Sequence, residues 1–537
     1  MVRLALVLLS GRGRVVRFLL PAALCLLAGG CIWIFHNVSV EAVGLNADSV
    51  AIHTPVKAHL RDGSTVLYRA GVLLARDTLR GTGVRYALTL RDSANVAFVP
   101  LDSVVAMESF RRGTDGAPTV IVSALATGAA AVASVIAAFV IACAGGNGPC
   151  SNCPTVYTDS GGMRALQAEG FSYTIGSTAE ARDVDRLAIR ADRDGRIALE
   201  VRNDALETDY VNHIELLEVR HAVDETAFPD PNGAALAVRE LVSATTITDD
   251  AGRDLRLLLA QPDSAVFQTD DRVLAGVSRA HWNDAIYLTA PAPAGRDSVA
   301  LVLRLKNSLL ATLLYSEVIM GDRGARSLDW IGRDLEGEGP ALTRWQEQRL
   351  GLRIAIWDGR RYREAAHIRD AGPHAWKDVA AMIPVLQRDS VRVRLSFPAD
   401  NWRIDQAAFA LRARRASVQP HPLSRVVDGE GREDSSALAS LRHADRRYLR
   451  TSPGERFSVE VQVAAGADLA RTFFFGIQGY YDPWIRRDGL RAGRDSGVLM
   501  SLDEQLVRAL QQWGTVREAR ERAFAAHAVS AAEMRAQ

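Results

Sequence analysis

From residue 150 onward the chain alternates apolar and polar side chains, and a period of two dictates sheets. Arg196-Ile197-Ala198-Leu199-Glu200-Val201-Arg202 alternates without a break, as do Val299 to Leu305, Leu352 to Trp357, Val391 to Leu395 and Phe457 to Val463. Successive strand side chains point to opposite faces, so each stretch has one dry face and one wet one. That is the pattern of antiparallel sheets. Spacing and turn chemistry predict β-sandwiches, one domain over 150–325 and a second β-rich domain over 345–490. Helical stretches near Ala311 to Met320 and Leu342 to Arg349 are expected between them. Residues 416–440 are polar, with Pro420, Pro422 and an Asp-Gly-Glu-Gly-Arg-Glu-Asp run from 428, and read as an exposed loop.

Two smaller elements flank this core. Residues 50–112 read as a small β meander or barrel. Val56 to Leu60 and Thr65 to Tyr68 enclose Arg61-Asp62-Gly63-Ser64, and Asp-Gly predicts a tight hairpin whose two central residues both take positive φ. At the other end, residues 500–530 read as a helix. Ser501 and Glu504 make a capping box, and Leu502, Leu506, Leu510 and Trp513 recur on one face, with Gly514 a point of interruption. The fold class is therefore mainly β with helical additions.

Composition narrows the function classes. The 537 residues allow three or four domains, and 48% apolar with 24% charged residues is a globular balance. Sixty-four basic against 63 acidic residues give a net charge of +1, so nothing draws the whole chain to nucleic acid. The basic residues are almost all Arg; Lys57, Lys306 and Lys377 are the lysines. Five cysteines exclude a disulfide scaffold.

The N-terminus reads as an export signal over residues 1–30. Arg3, Arg12, Arg14 and Arg17 precede an uncharged stretch from Phe18 to Gly30. It ends Leu27-Ala28-Gly29-Gly30-Cys31, which resembles the bacterial lipobox and implies lipidation at Cys31, with residues 31–49 as anchor or linker. Two alternatives stay open: an uncleaved anchor, because Ile32 to Phe35 prolongs the apolar run, and ordinary cleavage. Thr119 to Cys143 is a second run without a charge. At about 1.5 Å per residue it spans roughly 37 Å, enough for a hydrocarbon core of about 30 Å. It is expected to be a transmembrane helix, with a buried helix as the alternative. Arg111 and Arg112 before it would sit in the cytoplasm by the positive-inside rule, whereas an exported start would place them outside. The reading favours residues 150–537 outside the cytoplasm. Cys150 and Cys153 then form a local disulfide, with Cys143–Cys150 and free thiols as alternatives. Zinc is disfavoured, because a second cysteine pair is lacking.

The run Cys153-Pro154-Thr155-Val156-Tyr157-Thr158-Asp159 directly follows the apolar stretch. With Tyr210 to Leu216, Arg471 to Phe475 and Gly479-Tyr480-Tyr481-Asp482-Pro483-Trp484, it resembles an uncharacterised group of bacterial envelope (lipo)proteins. These pair an apolar helix with a Ser-Cys-Pro-x-x-Tyr-like hairpin and a β-rich remainder. This chain departs from the pattern at Asn152. The resemblance covers about residues 119–490 and implies architecture and location but no activity.

Catalytic motifs are lacking. There is no Walker A loop, no His-Glu-x-x-His and no Gly-x-Ser-x-Gly. Asp192-Arg193-Asp194-Gly195 reads as a hairpin turn rather than a calcium loop. His213 and Glu215 share one strand face, with His221 and Glu218 nearby, and surface or satisfied side chains are the expectation. Tyr480, Tyr481 and Trp484 are a candidate aromatic patch if exposed and core if buried. No catalytic residue, metal or cofactor is assigned. The expected function is a membrane-anchored, non-catalytic scaffold or binding module of the cell envelope, with an envelope protein or a glycan as partner. The alternative is an envelope hydrolase of glycan or peptide whose site is scattered in sequence.

Overall fold

The computed structural model describes residues 49–87, 92–110, 154–160, 163–369, 371–464, 470–492 and 500–534. The expected export signal, Cys31, the apolar run 119–143, and Cys143, Cys150 and Cys153 lie outside the described residues. Among the described residues no helix is long and apolar enough to cross a membrane. The chain is mainly β, with antiparallel sheets and half-barrels.

The N-terminal module contains β1 (Ser49–Ile52), β2 (Val56–Leu60), β3 (Thr65–Tyr68), β4 (Val72–Ala75), β5 (Thr78–Tyr86), β6 (Ser93–Pro100) and β7 (Val104–Ser109). They pair as one bent antiparallel sheet. The β2–β3 turn differs from expectation. Only Gly63 has positive φ, at 81°. The Gly63 N–H donates to Leu60 O at 3.0 Å and the Leu60 N–H to Ser64 O at 2.9 Å. Asp62 instead accepts from the Ser64 N–H at 3.0 Å. A three-residue turn closed by one left-handed glycine thus replaces the two-residue turn, sparing Asp62 a strained φ.

Five strands follow: β8 (Thr155–Ser160), β9 (Met163–Glu169), β10 (Ala181–Leu187), β11 (Arg196–Arg202) and β12 (Glu207–His221). Next come β13 (Thr226–Pro229), β14 (Ala235–Ser243), β15 (Thr246–Asp249), β16 (Asn283–Pro291), β17 (Ser298–Asn307), β18 (Leu352–Trp357), β19 (Tyr362–Ile368), β20 (Lys377–Pro384), β21 (Ser390–Pro398) and β22 (Trp402–Arg415). The last group is β23 (Val418–His421), β24 (Leu423–Asp428), β25 (Leu449–Thr451), β26 (Arg456–Gln462), β27 (Ala470–Pro483) and β28 (Ile485–Arg486).

These build two sandwiches, one inserted in the other. The outer sandwich stacks the sheet β10-β27-β12-β23 on the sheet β24-β26-β11-β8-β9. Its core joins Ile197, Leu199 and Val201 to Ile214, Leu216, Phe473, Phe475 and Ile477. The inner sandwich stacks β13-β14-β22-β17-β20 on β15-β16-β21-β18-β19. Leu301, Leu303, Ile286, Val393, Leu395, Trp402 and Phe409 fill its core. The alternation of 196–202, 299–305, 391–395 and 457–463 is the reason: every second side chain enters one of these two cores.

Residues 416–440, expected as a loop, are largely ordered. Strand β23 pairs β12, β24 pairs β26, and Ser435–Leu441 is a helix. Pro420 is tolerated because β23 is an edge strand, whose outer side needs no donor.

A helical insert between β17 and β18 ends in α1 (Leu335–Arg349), and the chain ends in α2 (Leu502–Met534). The capping box forms: Glu504 Oε2 accepts from the Ser501 N–H at 2.9 Å. Leu506, Leu510 and Trp513 are buried, while Gly514 does not interrupt the helix. Strand β28 pairs β7, so the C-terminal part closes on the N-terminal module.

Candidate functional site

A cleft of about 440 Å³ opens where the two sandwiches meet α1. That volume suits a small ligand or a short chain segment. One wall is the consecutive run Thr178 to Val184, which leads into β10. The others are the turn Pro229 to Gly233 after β13, the α1 face carrying Thr343, Gln346 and Glu347, and Ile368, Arg369, Lys377 and Val379 at β19 and β20.

Local chemistry shapes each wall. In the turn, Asp230 Oδ1 accepts from the N–H groups of Asn232 and Ala234 at 2.8 and 2.9 Å. Gly233 has φ 82°, and a Cβ there would meet Val184 Cγ2 at 2.7 Å. Glycine is thus required both for the left-handed turn and for its approach to β10. On α1, the buried Gln346 amide donates to Tyr315 Oη at 2.6 Å. Thr343 Oγ1 is buried without a hydrogen-bond partner among the described residues.

The floor is ionic. Lys377 Nζ lies 2.5 Å from Asp183 Oδ1 and 3.2 Å from Asp185 Oδ1. Next to it, Arg186 and Arg304 share Asp378 at 3.1 and 2.9 Å, and Arg304 also reaches Asp405 at 3.1 Å. Burial pushes the Asp185 carboxyl well above the usual carboxylate range; Lys377 pulls it down and the Asp183 charge adds to the rise. This network joins β10 to β20, both of which end their sheets. Side-chain ion pairs, and no strand pairing, connect β10 to β20.

The outer rim carries more paired charge. Arg182 Nε donates to Glu215 Oε1 at 2.8 Å. Glu180 accepts from Asn212 Nδ2 at 2.5 Å, from Gln478 Nε2 at 2.8 Å and from Tyr448 Oη at 2.7 Å. Arg369 lies 3.5 Å from Glu347.

The residues singled out from sequence fall elsewhere. Tyr480, Tyr481 and Trp484 are 8%, 0% and 4% exposed, so they form no surface patch. Tyr480 stacks on Tyr210 at 4.5 Å. Trp484 stacks on His59 at 4.0 Å and donates to Thr208 Oγ1 at 2.9 Å. Tyr480 and Tyr481 are buried because β27 is a central strand, and Trp484, just past its end, packs on Ala106 of β7. His213 donates from Nδ1 to Leu441 O at 2.9 Å, with Nε2 3.9 Å from Glu215. Glu215 holds its imidazole above the ordinary range, and His213 holds Glu215 below. Arg182, which borders the cleft, binds Glu215 of this pair. His221 is satisfied by Ala222 O and Thr472 Oγ1. Glu218 is fully buried and bound by Arg471, Arg220 and His421. Asp192 to Gly195 is a turn, with Asp192 Oδ1 accepting from the N–H groups of Asp194 and Arg196. Among the described residues no group of three His, Cys, Asp or Glu side chains is placed to hold a metal ion.

Sequence reading missed the cleft, whose walls come from five separated segments. One signal pointed to it. In a chain that uses Arg almost throughout, Lys377 and Lys57 stand out, and both are buried in ion pairs. No protein-family model matches this chain, and a search of curated proteins also finds no match.

Proposed function

We propose that this chain is a membrane-anchored, non-catalytic binding module of a bacterial cell envelope, and that its ligand occupies the cleft between the sandwiches. The cleft itself carries this reading. It has apolar walls in Phe171, Val184, Ile368 and Val379, and Thr343 and Gln346 of α1 border it. Few convergent polar groups in an apolar concavity are what small binding sites share. The charged side chains of the floor and much of the rim already have partners inside the protein, which suits recognition better than proton transfer. The membrane reading rests on the basic leader, Cys31 and the uncharged run 119–143.

A hydrolase remains the second reading, favoured by two carboxylates that converge on Lys377. Against it, Asp183 borders the cleft whereas Asp185, the carboxyl that burial pushes up, does not. A general acid must reach the bond it cleaves.

The test is a thermal-shift screen of envelope glycan fragments and capped peptides on the full chain in detergent. A ligand at about 100 times Kd stabilises by roughly 2.7 kcal/mol. The binding reading expects such a shift in wild type and its loss in Thr343→Trp, which fills the cleft. Turnover of a glycan or peptide that is lost in Asp183→Asn would replace it with the hydrolase reading. Intact mass tests the anchor: a diacylated chain beginning at Cys31 is expected, and retention of residues 1–30 contradicts it.

A further inference from the structure

We propose that the cleft takes an extended peptide carrying a basic side chain, which adds as a strand to the outer edge of β10. The inference rests on reading the cleft as a binding site and names what enters it.

Three observations support it. The cleft is bordered by consecutive residues from Thr178 to Val184. Ala181 to Val184 of this run belong to β10; a strand met face-on would contribute every second residue, so four consecutive ones place the cleft along the strand's edge. Strand β10 ends its sheet, pairing β27 on one side. Among the described residues, no backbone hydrogen bond ties the outer side of Ala181 to Val184 to another strand. Such an edge is a template for a guest strand, whose main chain supplies affinity while side-chain pockets supply selectivity. Lys377 connects β20 to β10 through side-chain ion pairs, and β20 does not pair with β10 as a strand.

The third observation sets the guest's charge. The cations bordering the cleft are neutralised within the protein: Lys377 by Asp183 and Asp185, Arg182 by Glu215, and Arg369 by Glu347. Of the acids, Glu180 and Asp230 have only neutral hydrogen-bond donors among the described residues. The surplus is negative, and a Lys or Arg side chain on the guest complements it.

The experiment is fluorescence anisotropy on the full chain in detergent. The probes are three labelled pools of capped hexapeptides, acetyl-Thr-Xaa-Lys-Xaa-Thr-Xaa-amide with Xaa an aliphatic or aromatic residue, the same pool with Glu for Lys, and the Lys pool N-methylated at alternate residues. The Lys pool is expected to bind at least tenfold tighter than either of the others. Thr343→Trp should abolish that binding. Arg344→Trp, on the exposed side of α1, should leave it unchanged. Equal binding of the N-methylated pool overturns strand addition, and equal binding of the Glu pool overturns the charge assignment. Failure of all three pools overturns the peptide class. The broader reading survives that last result only if a glycan fragment stabilises wild type and not Thr343→Trp.

Discussion

Replacing Lys377 by Met removes the one cation that Asp183 and Asp185 share. Methionine preserves most of the side chain's bulk, so the loss is electrostatic. Stranding a buried charge by deleting its partner costs about 3–5 kcal/mol. The Asp183 side chain is 21% exposed, and water screens part of its charge, so a value near 3 kcal/mol at pH 8 is expected. The cost must also depend on pH. Without the ammonium, the folded-state pKa of Asp185, already raised by burial, rises further above the unfolded value of about 3.9. Between the two pKa values the folded protein holds protons that the unfolded chain has released, so stability falls as pH rises through that window. At pH 5 a proton replaces part of the lost cation, and the deficit should shrink to about 1–2 kcal/mol. Urea unfolding followed by tryptophan fluorescence at pH 5 and pH 8 measures both values. Adding Asp185→Asn should restore at least about 1 kcal/mol at pH 8 by removing one of the stranded charges. A deficit under about 1 kcal/mol at pH 8, or one equal at both pH values, would refute the reasoning.

Three further outcomes are expected. Burial pushes Asp284 up to about 6 while Thr269 Oγ1 donates to it at 2.6 Å; stability should therefore fall between pH 4 and 6, and Asp284→Asn should gain up to about 3 kcal/mol at pH 7, read from urea midpoints across pH. Trp513 is fully buried and donates to Asp400 Oδ2 at 2.7 Å, so Trp513→Ala should cost about 3–5 kcal/mol and expose α2 to limited proteolysis; an unchanged digestion pattern would contradict its role as the anchor of that helix. Glu504→Ala removes half of the capping box and should cost about 0.5–1 kcal/mol, detected as a small drop in the unfolding midpoint.

What sequence made legible was local. Alternation located strands such as 196–202 and 457–463, because burial on one face leaves a period-two trace. Ser501 with Glu504 located the start of α2 for the same reason: the signal is complete within four residues. Pairing left no such trace. Leu199 lies opposite Val459 and Leu217 opposite Phe474, contacts across more than half of the described chain, so the insertion of one sandwich in the other could not be read. Pro420 and the acidic run from 428 suggested a loop, since edge strands tolerate the residues that loops prefer. The aromatic residues 480–484 were ambiguous because exposure depends on whether a strand is central, which is a property of the sheet. The cleft was the least legible feature. Asp183, Asp230, Thr343 and Lys377 have ordinary neighbours in sequence, and only the fold brings them together.

The most direct test of the cleft as the binding site is hydrogen exchange of the full chain with and without a saturating ligand from the thermal-shift screen. Protection should appear in three separated segments, Thr178 to Val184, Pro229 to Gly233 and Thr343 to Leu350, and in Thr343→Trp it should vanish. Protection confined to other segments, or protection unchanged by Thr343→Trp, would contradict the assignment.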